Sequence, residues 1–99
     1  MATEADVLIM SRFRDNTAEH RYELDAPEGQ SFAEYRDLAG VRVILHVETP
    51  IEAQGKGYAS QLMSHIVEEA RSSQKRLRAS CAFAVAYFRR HPDTADVQA

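Results

Sequence analysis

"EAQGKGYASQLMSHIVEEAR", residues 52–71, changes character near its middle. Its first half sets Gly55 and Gly57 around Lys56, a spacing that makes a tight turn and lets backbone approach a ligand. In its second half Tyr58, Leu62, Ile66 and Ala70 step by four, flanked by Ala59, Met63 and Val67, which predicts one apolar helical stripe. Ser60, Gln61, Ser64, His65, Glu68 and Glu69 fall on the opposite side. The helix opens at the glycine turn and runs for about 24 Å at about 1.5 Å per residue. Before it, "VRVILHVE" (41–48) alternates like a strand, with Val41, Val43, Leu45 and Val47 on one face and Arg42, Ile44, His46 and Glu48 on the other. Pro50 ends that strand, since it cannot donate to a ladder. After the helix, "KRLRAS" (75–80) reads as a short strand. Two strands joined through a helix predict a right-handed parallel crossover.

Further upstream the period is that of strands, at about 7–14 and 20–25, then at 31–38 with Ala33 and Tyr35 on one face. "APEGQ" and Leu38-Ala39-Gly40 carry the turns. Downstream, "AFAVAYFRRH" (82–91) predicts a second helix that stops before Pro92, and residues 92–99 are expected to be loose. The fold class is therefore α+β: one mixed sheet, an antiparallel meander continued by a βαβα unit, in a single domain over 1–99.

Composition sets limits on function. With 44% hydrophobic and 27% charged residues, the chain is globular in type. No apolar run approaches the roughly 20 residues that span a bilayer, and "DVLIM" is too short for a signal peptide. The lone Cys81 excludes an internal disulfide and suggests a reducing, cytoplasmic setting. Residues 1–50 hold ten acids and five Lys or Arg, whereas residues 51–99 hold five acids and seven bases. No Asp or Glu occurs between Ala70 and Pro92, where Arg71, Lys75, Arg76, Arg78, Arg89 and Arg90 all lie. That half suits an anion, or is a set of solvated arginines.

The glycine turn narrows by elimination. A P-loop needs Gly-x-x-x-x-Gly-Lys-Ser/Thr, and no register here supplies it. The dinucleotide fingerprint expects an acid about 20 residues on, and the window around Leu77 has none. What remains is a Gly-x-Gly turn that delivers N–H groups to a helix N-terminus, a site for phosphate or pyrophosphate, or a tight turn without a ligand.

Gln54, Gly57 and Ala59 in "QGKGYA" match the Gln/Arg-x-x-Gly-x-Gly/Ala signature of the GNAT superfamily of N-acetyltransferases. Its short single-domain branch is similar over most of the chain, from Phe13 to Val97. The ordered set comprises "RYEL" at 21–24, "AEY" at 33–35, His46, Pro50, Cys81 and "RRHPD" at 89–93. The resemblance implies that acetyl-CoA is bound as a substrate, with its pyrophosphate held by Ala53, Gln54, Gly55, Lys56, Gly57, Tyr58 and Ala59, and with Arg89 as a further CoA contact. The branch's Thr after the histidine is Val47 here, with Thr49 at its usual Val position, and its Pro before the cysteine is Ala79. Larger members often carry a tyrosine acid on the last helix. The equivalent here is Phe88, with Tyr87 one position off.

Acetyl transfer to an amine requires a free amine, which costs about 4–5 kcal/mol to form at pH 7 from a group of pKa near 10.4. A base must take that proton, and the departing thiolate benefits from a donor. His46 is the best-suited base, on the strand nearest the turn. Cys81 could be an acyl-accepting nucleophile, a proton donor to CoA or a small buried residue. His65 and Glu68 share a helix face, but no further metal-ligand motif accompanies them, and no metal is expected. His20 and His91 read as structural. The expected activity is N-acetyl transfer to a primary amine, and the acidic N-terminal half suits a cationic acceptor such as lysine. A non-catalytic CoA-binding protein is the alternative, given Val47 and Ala79. A nucleic-acid-binding module comes third, because aromatics are not interleaved with the bases. No membrane partner is expected.

Overall fold

The computed structural model describes residues 12–99. One five-stranded sheet follows chain order: β1 (Phe13–Asn16), β2 (Arg21–Ala26), β3 (Gly29–Leu38), β4 (Val41–Glu48) and β5 (Arg76–Ala79). The first four strands are antiparallel neighbours, and β5 runs parallel to β4. Helix α1 (Tyr58–Ser73) connects that parallel pair, and α2 (Ala82–Arg90) follows β5. This is the expected α+β mixed sheet. Residues 7–11 of the expected first strand lie outside the described residues. The described strand runs on to Asn16, where the Asn16 side chain accepts from Glu19 N (3.3 Å) and caps a 3₁₀ turn, Thr17–Glu19.

Two residues, Ala39 and Gly40, join the paired Leu38 and Val41 at φ 52° and 80°. Positive φ at both centres is the type I′ geometry that matches strand twist, and Gly40 takes it without strain.

The alternation expected for β4 fails at Leu45. Glu34 pairs with His46 and Tyr35 with Ile44, so Leu45 has no opposite number and forms a β-bulge. One extra residue reverses the parity. Arg42, Ile44 and Val47 share the helix-covered face with Ala33 and Tyr35, while His46 and Glu48 lie opposite, in register with Glu34 and Phe32. Val43 and Val47 are therefore on different faces, contrary to the sequence reading.

The strand residues that pack in one cluster with the helices belong to that one face: Tyr22, Leu24, Ala33, Tyr35, Ile44 and Leu77. Leu62, Met63, Ile66, Val67 and Ala70 of α1 and Ala84, Tyr87 and Phe88 of α2 join the same cluster, so both helices cover the same side. Fully burying a side chain such as Leu62, Met63 or Ile66 contributes roughly 1.5–3 kcal/mol.

Arg42, on the same face as Ile44, is buried in this layer. Its guanidinium donates to Asp37 through Nε (2.7 Å) and Nη2 (2.9 Å), and through Nη1 to Asp15 (3.0 Å) and to the Tyr22 hydroxyl (2.9 Å). It lies 3.8 Å from the centre of the Tyr35 ring. Tyr35 in turn donates to Asp15 (2.5 Å), and Tyr22 donates to Glu69 of α1 (3.0 Å). On the open face Glu23 is equally buried, paired with Arg14 and Arg21 at 2.7 and 2.6 Å.

The C-terminal residues, expected to be loose, are packed. Pro92–Val97 form a 3₁₀ helix with Thr94 and Val97 buried. Arg71 on α1 holds Asp96 at 2.7 Å, and Ala99 N donates to Leu77 O (2.8 Å) at the free edge of β5. A buried Val and a partner for an open edge are tertiary gains that composition does not reveal. No described helix is long and apolar enough to cross a membrane.

Arg42→Met should destabilise the fold by roughly 2–4 kcal/mol in urea titration, because it leaves the Asp15 carboxylate without its cation and the Tyr22 hydroxyl without its donor; Asp37, more than half exposed, moderates the loss. A loss below about 1 kcal/mol would show that an apolar side chain serves as well. Acid should act through carboxyls whose pKa values are lowered, Asp37 and Glu23 among them. Asp37 is lowered mainly by the hydrogen bonds Arg42 donates. For Glu23, burial raises the pKa, but Arg21, Asn16 and Arg14 together outweigh it. Their contribution is complete above the unfolded value of about 4 and is lost as pH falls through the lower folded values. Stability against urea should thus hold from pH 7 to about 5 and fall below 4, with a shallower acid limb in Glu23→Gln.

Candidate functional site

The segment leaving β4 is tightly braced. Ala53 is fully buried and closes a 3₁₀ turn, Ile51–Ala53, by donating to Pro50 O (2.9 Å). The Gln54 side chain reaches back to Thr49 O (3.2 Å), and the Thr49 hydroxyl meets that of the buried Ser31 at 3.1 Å. Beyond this brace the backbone turns through Gly55 (φ 80°) and Gly57 (φ 82°, ψ 11°), and α1 begins. No side chain caps α1, and its first turn contains no acid. The first-turn N–H groups are left for solvent or a ligand, at the positive end of the helix dipole. A Cβ at Gly55 or Gly57 would meet no atom within 4 Å, so the space above the turn is open.

Of the residues expected at this turn, Gln54, Gly55, Lys56, Gly57, Tyr58 and Ala59 form one continuous exposed or half-exposed stretch that runs into α1, whereas Ala53 is part of the wall behind it. Sequence reasoning missed Glu28, on the β2–β3 turn. Its carboxylate holds the Lys56 ammonium and accepts from the Tyr58 hydroxyl (3.0 Å). The Lys56 hydrogen bond lowers the Glu28 pKa, and Glu28 raises that of Lys56. No local signal reveals a partner 28 residues away.

Beside the turn, the parallel strands separate. Pairing stops at Ile44 and Ala79, with Ser80 N donating to Ile44 O (2.9 Å). β4 continues through Leu45–Glu48, with no described strand on its β5 side. His46 and Cys81 flank this gap from opposite faces. His46 is exposed on the open face, edge-on to Phe32 (6.2 Å between ring centres), with Nε2 3.7 Å from Glu48. Cys81 lies on the helix side, half-buried against the core, and its Sγ accepts from Ala84 N (3.5 Å) as the cap of α2. Arg89, expected as a further CoA contact, is eight residues further along α2, about 12 Å at helical rise from Cys81. It lines a separate groove with Leu77, Arg78, Val85 and Phe88.

The remaining candidates have structural partners. Tyr87 is buried, with its ring stacked on His91 at 4.0 Å. Burial raises its hydroxyl pKa, against a hydrogen bond with Ser64. Burial lowers the pKa of His65, which stacks on Phe13 at 4.9 Å. No metal-ligand cluster occurs among the described residues.

Residues 21–97 match the family described as GCN5-related N-acetyl-transferase. The chain belongs to that family. It is also similar to a GCN5-like protein from Staphylococcus aureus, whose NMR solution structure superposes with a TM-score of 0.64 at 23% identity, over 88% of this chain and 86% of the other. That likeness concerns the fold. No curated protein matches the chain.

Within this GNAT fold the two departures near the gap acquire local explanations. Val47 packs on the core, opposite Ala33, and Thr49 supplies the hydroxyl that meets Ser31. Ala79 packs on the core where β5 leaves the ladder.

Gly57→Ala should destabilise the protein by about 1–2 kcal/mol through backbone strain alone, since its φ lies in the left-handed region and its Cβ meets nothing. Urea titration beside Gly40→Ala, at a similar φ in open space, should give the same loss. An unchanged midpoint for Gly57→Ala would show that the turn relaxes freely.

Proposed function

We propose that this protein transfers the acetyl group of acetyl-CoA to a primary amine on a cationic acceptor, in a reducing, cytoplasmic setting. The observation that carries the reading is the uncapped, acid-free start of α1 at the glycine turn, directly beside the gap between β4 and β5. A pyrophosphate on the turn would receive several N–H groups. Pantetheine would run from there along the unpaired edge of β4, where its two amides could bond to main chain that no strand occupies. The thioester would then lie near the ends of the separating strands.

The acceptor would approach from the open face. Glu34 and Glu48 stand there beside His46, and their charges favour an ammonium over a neutral amine. His46 would take the proton, directly or through a water chain, and the free amine would attack the thioester carbonyl. Collapse of the tetrahedral adduct breaks the C–S bond and releases CoA, whose thiolate takes up a proton. Cys81, on the other side of the gap, would line the acetyl pocket or donate that proton. Direct attack by the amine suits this arrangement, because Sγ already accepts from Ala84 N and packs on the core.

CoA at 100 times its Kd should stabilise the fold by about 2.7 kcal/mol, a melting shift on the order of 10 °C for a domain of this size. No shift with CoA would end the acetyl-CoA reading. His46→Ala should slow the chemical step by roughly 10²–10⁴-fold while CoA affinity stays within about twofold. Mass spectrometry after mixing with acetyl-CoA alone should show no adduct on Cys81. A stable acetyl adduct that Cys81→Ala abolishes would replace direct attack with a cysteine intermediate.

A further inference from the structure

Glu28 is an anion built into what we read as an anion site. It lies at the tip of the β2–β3 hairpin, in the two-residue loop between the paired Ala26 and Gly29. That tip is fixed against the segment entering the turn, because a Cβ at Gly29 would come within 2.9 Å of Pro50 Cγ. The carboxylate therefore cannot drift far from Lys56 and Tyr58, the two residues on either side of Gly57. It takes the Lys56 ammonium on Oε2 and accepts from the Tyr58 hydroxyl on Oε1 at 3.0 Å. About half the Lys56 side chain is still exposed, so the ammonium can turn to another anion.

We propose that Glu28 is a resident counter-anion of the glycine turn, which holds Lys56 in the empty protein and competes with the CoA diphosphate for it. The proposal rests on the acetyl-CoA reading above and assigns Glu28 a positioning role through Lys56. Two consequences follow from the charge. Part of the attraction between Lys56 and the incoming phosphates is already satisfied by Glu28. Once Lys56 turns away, the bare carboxylate remains beside the bound anion and repels it. Glu28 thus loosens CoA binding and favours departure of the product, while its bond to Tyr58 keeps the turn in shape.

The test is the affinity of Glu28→Gln, which removes the charge and keeps an acceptor for the Tyr58 hydroxyl. Isothermal titration at low ionic strength should show CoA bound roughly 5–10-fold more tightly than by the wild-type protein. Inorganic pyrophosphate should gain by a similar factor, and pantetheine, which has no phosphate, should gain nothing. At 0.5 M salt the difference between variant and wild type should shrink, since exposed charges are screened over a few ångströms. Glu28→Ala should share the sign of the effect if Glu28→Gln fails to fold. Unchanged or weaker CoA binding by the folded variants would overturn the proposal, as would an equal gain for pantetheine, which would mark a general loosening of the turn. Wild-type protein that is folded and binds no CoA would instead remove the acetyltransferase reading, and this inference with it.

Discussion

The guanidinium of Arg42 is the point on which the layers of this protein are joined. It sits where β4 begins, under the helices, and bonds to carboxylates or hydroxyls from β1, β2 and β3. Through Tyr22 and Glu69 the same network reaches α1. A charge with 8% of its surface exposed is tolerable only when each donor is satisfied, and no described buried side-chain polar atom lacks a partner. The network therefore dictates which face of β4 turns inward.

The sheet is thereby closed at one end and open at the other. At the start of β4 the ladder to β5 is intact, Leu77 lies beside Arg42, and the C-terminal residues pair along the outer edge of β5. Four residues later the bulge at Leu45 breaks the register with β3, and the ladder to β5 ends. A bulge adds twist and bends its strand, which suits the point where two parallel strands diverge. The same extra residue turns His46 to the open face, where Phe32 and Glu48 adjoin it, and leaves Val47 for the core. One insertion accounts both for the gap and for what lines it.

Stability and binding make different demands on the glycine turn. The glycines let the chain turn, but an uncapped helix start with no acid in its first turn is a poor choice for a turn that only has to reverse the chain. On the proposed reading these features would suit a turn that takes up an anion and lets it go again. The brace formed by Gln54, Thr49 and Ser31 ties the exposed stretch to the end of β4, which would leave little ordering for the binding proposed there.

The local features were legible because each is set by near neighbours in sequence. The change from period 2 to period 3.6 at Gly57 located α1 and, with the strands either side, the parallel pair. Ala39-Gly40 marked a hairpin, and the ordered motifs from "RYEL" to "RRHPD" marked the family. Whatever depends on residues far apart in the chain was settled only by the tertiary structure. The bulge at Leu45 has no composition signal, so strict alternation put His46 beside Ile44 and Val47 beside Val43. Residues 92–99 looked loose, because only contact with Arg71 and the β5 edge makes their burial favourable. Glu28 and Lys56 are ordinary surface residues until the β2–β3 hairpin tip meets Pro50 and brings them together. Periodicity records which side of an element is apolar; register, bulges and long-range ion pairs depend on which elements meet, and the free energy of that meeting belongs to the folded chain as a whole.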